Sequence, residues 1–358
     1  MKTRMNSHNR ILFFHKANDY TGSTRALATL IGKEYASVIT ISPSNSGFLS
    51  DMKNITLIPI LYPQIKGRSI PVITFLVSYI SRIVQTIKWV NKVDVFYINT
   101  IAPFYAAIIG RLFNKRIIYH VHEKIINPNV IYRISEYVFI HIKSDTIYVS
   151  EYLKFCYPQK KGDYVIAYNR LPTEFEQNVI VRPFQERNRN SILMVSSLSK
   201  EKGVFVFEEL AKRLPNYRFT LVLSVENDII DKSFPNRPAN LTIWPKQKNL
   251  SLFYHNADLL LNLTQPSACI ETFGLTILEA MCYGVPAIVP NVGGPTELVI
   301  NNYNGYCINV EDISEIMDAI SNVFNADTYV NLSNNSLTRY KTLYNNESIN
   351  STIDVQRR

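Results

Sequence analysis

Apolar and polar positions alternate along this chain in two recurring patterns. Short apolar runs flanked by turn residues read as strands, and longer stretches with apolar residues three and four apart read as helices. In the first half, Ile11–His15 is a short apolar strand followed by the loop KANDYTG. Residues 23–31 then take helical spacing, with Leu27 and Leu30 on one face and Ser23 or Thr24 as the cap. Further on come a strand over 93–99, a helix over 101–113, and strands over 115–122 and 145–150. The second half repeats the alternation, with strands over 191–197, 218–224, 241–245 and 257–264. Helices are expected from about 204 to 214, near 251–255, and from about Gly274 onward. Alternation of this kind predicts α/β architecture with parallel sheets.

Length divides the pattern in two. The chain has 358 residues, 46% of them hydrophobic, which suits two domains better than one. The Pro- and charge-rich stretch 169–190 is the expected linker. The sequence therefore predicts a first domain over 1–170 and a second over 171–330. A C-terminal helix or tail over 331–358 is expected to pack back on the first. Two open α/β domains place their ligand cleft at the carboxyl ends of the strands.

Charge separates the halves. Residues 1–170 carry 22 Lys and Arg against 9 Asp and Glu, while residues 171–358 carry 16 against 20. A basic first half points to an anionic surface or acceptor, with a membrane surface among the candidates. The basic residues are spread out and form no recognised nucleic-acid module, so nucleic acid is not an expected partner. The longest apolar stretch, IPVITFLVSYIS at 70–81, has twelve residues and is followed by Arg82, Lys88 and Lys92. It is too short to span a bilayer. Two readings stay open for it: a helix lying on a membrane surface, or an amphipathic helix facing the core. The apolar run ILFF near the start is too short for a signal peptide, and the four cysteines show no metal or redox spacing. The chain is expected in the cytoplasm, with peripheral placement on the inner membrane face as an option.

The densest chemistry lies in 264–309. A strand ends, the loop SACIETFG follows, and a helix opens at Gly274. Glycine there lets a ligand approach the backbone, and the first-turn amides with the helix dipole suit a phosphate. Glu271 stands before the helix and Glu279 inside it, and carboxylates accept hydrogen bonds from sugar hydroxyls. The ordered set Glu271-x7-Glu279 with Phe273-Gly274, then Gly284-x-Pro286, Gly293-Gly294-x-x-Glu297 and Asn304-Gly305, resembles retaining glycosyltransferases of family 4. Weaker likeness covers nearly the whole chain, including Thr21-Gly22-Ser23, the segment LSKEKGV at 198–204 and the strand ending His122-Glu123.

The resemblance implies the GT-B fold, two Rossmann-like domains with parallel sheets facing across a cleft. It implies transfer of a sugar from a nucleotide-diphosphate donor to a glycan or a polyprenyl-diphosphate-linked glycan, with retention, as in bacterial capsule or O-antigen assembly. Carried over residue by residue, Glu271 meets donor-sugar hydroxyls and Glu279 the ribose. Backbone at Phe273, Gly274 and Leu275 faces the diphosphate or sugar, Lys202 binds the diphosphate, and His122 stands near the donor sugar, with His120 as the runner-up. Gly22 belongs to a loop lining the cleft. The family's usual arginine five residues before the lysine is Ser197 here, which leaves Lys200 or Arg25 to complete the clamp. No D-x-D follows an apolar strand, so no catalytic metal and no cofactor are expected; the nucleotide-sugar is a substrate. The alternatives are a non-catalytic or partner-dependent nucleotide-sugar-binding protein of the same fold, and a nucleotide-sugar epimerase.

Overall fold

The computed structural model describes residues 10–32, 36–42, 47–61, 70–126 and 128–345. Residues 1–9, read for a leader, and 346–358, the end of the expected tail, lie outside the described residues. The chain divides into two compact units, the first ending at Tyr168 and the second beginning at Asn169.

Unit 1 holds one parallel sheet of seven strands: β1 (Ile11–Ala17), β2 (Ala36–Ser42), β3 (Ile55–Leu57), β4 (Val95–Asn99), β5 (Arg116–Val121), β6 (Asp145–Tyr148) and β7 (Tyr164–Ile166). Their order is 3-2-1-4-5-6-7. The connecting helices are α1 (Gly22–Ile31), α2 (Ile70–Val90), α3 (Phe104–Leu112), α4 (Val130–His141) and α5 (Glu151–Cys156). Every residue of β4 is buried, as expected of a central parallel strand covered on both faces. Leu27 and Ile31 of α1 pack on Phe13 and Val38, which is why that helix carries its apolar stripe.

Unit 2 holds a second parallel sheet: β8 (Ser191–Ser196), β9 (Arg218–Leu223), β10 (Leu241–Trp244), β11 (Leu259–Leu261), β12 (Ala287–Pro290) and β13 (Gly305–Ile308), in the order 10-9-8-11-12-13. Its helices are α6 (Thr173–Gln177), α7 (Val204–Arg213), α8 (Asn227–Ser233), α9 (Ser251–Asn256), α10 (Leu275–Cys282), α11 (Pro295–Leu298), α12 (Ile313–Phe324) and α13 (Ala326–Arg339). Phe207 and Leu210 of α7 and Ile320 of α12 close over Ile192, Met194 and Leu221 of the sheet.

Each sheet reverses its winding once. In unit 1 the reversal lies between β1 and β4, and in unit 2 between β8 and β11. At such a switch point the helices leave to opposite faces of the sheet. A crevice opens beyond the carboxyl ends of the two strands.

Two segments differ from their sequence expectation. The 330/331 boundary falls inside α13, whose Tyr329, Leu332, Ser333 and Ser336 are buried. The hydroxyls of Ser333 and Ser336 donate to the carbonyls of Gly284 (2.6 Å) and Val285 (3.1 Å), so residues 331–345 are an integral layer of unit 2. The expected linker 169–190 is likewise bound into unit 2. Arg187 donates to the Tyr283 carbonyl (2.8 Å) and to the Tyr329 hydroxyl (3.1 Å). Arg182 pairs with Asp258, whose second oxygen accepts the amides of Asn190 and Ser191 at 3.1 Å each.

Among the described residues no helix is long and apolar enough to cross a membrane.

Candidate functional site

The unit 2 site is assembled at the β8/β11 switch point. After β8 the chain passes Ser197 and makes a single 3₁₀ turn, Lys200–Lys202, before Gly203 opens α7 with φ +76°. A Cβ on Gly203 would stand 2.3 Å from the carbonyl oxygen of Leu263, so only glycine lets the turn lie this close to the end of β11. The amide of Gln265 donates to the carbonyl of Glu201 (2.8 Å), tying the two loops together. That approach brings Lys202 to Glu271, 69 residues later: its Nζ donates to Oε2 at 2.6 Å. The Thr264 hydroxyl lies 3.5 Å from the same oxygen. Burial works against the Lys202 charge, but the Glu271 carboxylate outweighs it and holds the ammonium above its ordinary range. Both side chains keep about a quarter of their surface exposed, at 27% and 25%.

The loop bearing Glu271 is fixed from below by the paired glycines. Gly293 has φ +87°, and a Cβ there would meet the Glu271 carbonyl oxygen at 2.4 Å. A Cβ on Gly294 would meet the Thr272 carbonyl oxygen at 2.2 Å, and the Gly294 amide donates to the Glu271 carbonyl (2.9 Å). The glycine pair thus holds the Glu271–Thr272 backbone, and Pro295 begins α11 directly after it.

Gly274, with φ +107°, opens α10, and no side chain caps that helix end. Its first-turn amides and the positive end of its dipole therefore face the turn that carries Glu271, a suitable place for an oxyanion. Phe273 and Gly274 are buried, while Leu275 is partly exposed. Glu279 is fully buried on the inner side of α10, and its carboxylate accepts the hydroxyl of Tyr254 from α9. The acid expected at a ribose is thus tied to α9 through Tyr254. Ser197 and Lys200 are both exposed on the approach to the turn.

Unit 1 places a polar network at its own switch point. His15, Asn99 and His120 lie in register across β1, β4 and β5 at the carboxyl ends of the strands. The Asn99 side chain links the row: its Nδ2 reaches His15 Nδ1 (2.9 Å) and the Ser23 carbonyl (3.2 Å), and its Oδ1 reaches His122 Nε2 (2.9 Å). His120 Nδ1 meets the Tyr97 hydroxyl at 2.9 Å, and its ring lies 4.1 Å from that of His122. Burial, then neighbouring histidines, push the His122 pKa well below its ordinary value, and His120 is lowered to about 3. Neutral His122 donates Nε2–H to Asn99 Oδ1, which leaves Nδ1 the basic nitrogen. Thr100, next to Asn99, is β-branched yet has φ 81°, a strained backbone at the head of this network. Gly22 is the exposed first residue of α1, and its φ is not positive. Arg25 of the same helix sits over the Phe48 ring at 6.0 Å.

Residues 178–339 match the family model of glycosyl transferases group 1. The match lies within unit 2 and includes Lys202, Glu271, Gly274 and Glu279. An uncharacterized 41.2 kDa protein in the cps region of Klebsiella pneumoniae is 26% identical over 266 residues, 66% of this chain and 72% of that protein. Sucrose synthase 6 of Oryza sativa is 38% identical over 77 residues, which is 22% of this chain and only 9% of that enzyme. Among solved structures, Anabaena Alr3699/HepE in complex with UDP and glucose superposes with TM-score 0.76 at 18% identity, covering 98% of this chain and 99% of the other. At that identity the likeness speaks to fold: two Rossmann-like parallel-sheet domains of the GT-B type.

Several residues of these networks went unnoticed in the sequence: His15, Asn99, Tyr254 and Thr264. His15 and Asn99 carried one usable signal, a polar residue at the carboxyl end of an apolar strand. Tyr254 carried none, because its partner Glu279 is 25 residues away on another helix.

Proposed function

We propose that this chain is a glycosyltransferase that takes a sugar from a nucleotide-diphosphate donor bound on unit 2. The Lys202–Glu271 pair before the uncapped start of α10 carries the proposal. Cleaving the bond between an anomeric carbon and a diphosphate sends negative charge onto the leaving phosphate. Lys202 and the first-turn amides of α10 meet that charge, so no divalent ion is required. Glu271 exchanges part of its contact with Lys202 for a sugar hydroxyl and orients the donor. Glu279 is proposed, on the family resemblance, to meet the ribose of the donor, with Tyr254 orienting its carboxylate.

A UDP-sugar is the proposed donor, in keeping with the UDP and glucose held by the Anabaena protein. Retention of configuration is proposed on the family resemblance, and so is a place for His122 of unit 1 near the donor sugar. The acceptor is proposed to be a glycan, either free or on a lipid diphosphate, made for a cell-surface polysaccharide. The cps-region relative and the basic first half support that choice.

Ser197 favours a second reading. An exposed serine stands where the family's clamp arginine is usual, which suits a protein that binds donor without turning it over. Donor hydrolysis separates the two. With UDP-glucose and UDP-galactose, the parent is expected to release UDP at least about tenfold faster than Glu271→Ala. A parent no faster than the variant would overturn catalysis and leave binding.

A further inference from the structure

Among its described side chains, helix α2 buries four polar residues beside Val90. The side chains of Ser78, Ser81, Arg82 and Thr86 are buried, while Leu76 (51% exposed), Ile80 (59%), Val84 (43%) and Ile87 (46%) face solvent. The inward polar groups have work to do there. The Ser81 hydroxyl accepts the Leu61 amide (2.9 Å), and the Thr86 hydroxyl donates to the Arg82 carbonyl (2.7 Å). The outward stripe has no such explanation, because an isolated soluble domain gains nothing from four aligned apolar side chains in water.

The neighbouring helices extend the stripe. The steps β3 to β4, β4 to β5 and β5 to β6 all run the same way across the sheet, so right-handed crossovers put α2, α3 and α4 on one face. Helix α3 packs between α2 and α4. From these two helices Leu112 (74% exposed), Val130 (73%) and Tyr137 (64%) also stand outward. Between the apolar groups, Lys88, Arg111 and Arg133 are exposed, and Lys92 follows α2 with its ammonium over the Trp89 ring at 5.2 Å. The three helices contain one acid, Glu136, and Lys124 pairs with it.

We infer that the outer face of the α2–α3–α4 layer docks unit 1 on an anionic lipid surface. An apolar ridge interleaved with cations matches the boundary between acyl chains and acidic headgroups. A second copy of the chain, pressing the same face to this one, would bring like charges together with only Glu136, already paired with Lys124, to offset them. The inference rests on this face alone and stands or falls independently of the sugar-transfer reading of unit 2.

Vesicle sedimentation of the full chain tests it, using phosphatidylcholine alone and with about 30% phosphatidylglycerol. The anionic vesicles are expected to carry down at least about tenfold more protein than the neutral ones, with the excess shrinking as salt rises from about 0.05 to 0.3 M. Ile80→Asp with Val84→Asp should lower that binding at least about tenfold. Lys88→Glu with Arg111→Glu, both at exposed positions, should do the same while UDP release is unchanged. Equal binding to both vesicles, or variants that bind like the parent, would overturn the inference. So would a parent that ignores vesicles and sediments as a dimer that Ile80→Asp disperses.

Discussion

At Gly293 the chain carries φ +87°, and any side chain would strike the Glu271 carbonyl at 2.4 Å. Gly22 lacks the positive φ and is exposed at the start of α1. Two glycines that the family resemblance marks alike therefore behave differently on substitution. Gly293→Ala is expected to destabilise unit 2 by about 2 kcal/mol and to cut UDP release, because relief of the clash moves Glu271. Gly22→Ala should be neutral or stabilising by about 0.5 kcal/mol, since alanine lowers unfolded-chain entropy where the backbone permits it. Melting curves of both variants check this; a Gly293→Ala curve matching the parent's would contradict the positioning role. Residue type and spacing brought Glu271 and Gly274 to notice, because motif chemistry is local, and Lys202 came only with the family resemblance. Depth was not legible. That Glu279 is buried and bonded to Tyr254 depends on how α9 meets α10, which no spacing within α10 encodes.

The strongly periodic elements, such as β4, β8, α7 and α10, were legible because burial on a fixed face writes itself into the sequence. Strands β12 and β13, four residues each, are too short for periodicity to register. For α2 the pattern revealed an amphipathic helix but could not say which side is buried, and the buried side proved to carry Ser78, Ser81, Arg82 and Thr86 beside Val90. The stretch 169–190 read as a linker because Pro and charge usually mark exposed chain. Here the charges are anchors. Asp258 is fully buried and joins Arg182 to the start of β8 through two amides. Removing one partner of such a group leaves the others uncompensated. Asp258→Ala is expected to cost about 3 kcal/mol in urea unfolding of unit 2. A loss below about 1 kcal/mol would show the segment to be a tether rather than part of the unit.

On the scale of the molecule, the chain is two doubly wound sheets, each with its chemistry at its switch point. Unit 1 gathers neutral histidines around Asn99, and unit 2 gathers Lys202, Glu271 and the start of α10. The two-part α/β plan was legible from alternation and length, whereas the inclusion of α13 in unit 2 was not. That helix is Asn-rich on its exposed side and docks through two serine hydroxyls beside only two core residues, Tyr329 and Leu332. The central claim is that unit 2 holds a nucleoside diphosphate between Lys202 and the first-turn amides of α10. A ligand that binds only the folded state raises its melting temperature as concentration exceeds Kd, adding about 2.7 kcal/mol at a hundredfold excess. The deciding measurement is the melting temperature of the parent and of Lys202→Met with UDP, GDP and ADP. The account expects one of the three to raise the parent's melting temperature by several degrees and to leave Lys202→Met nearly unmoved. No shift with any of them, or an equal shift in the variant, would contradict it.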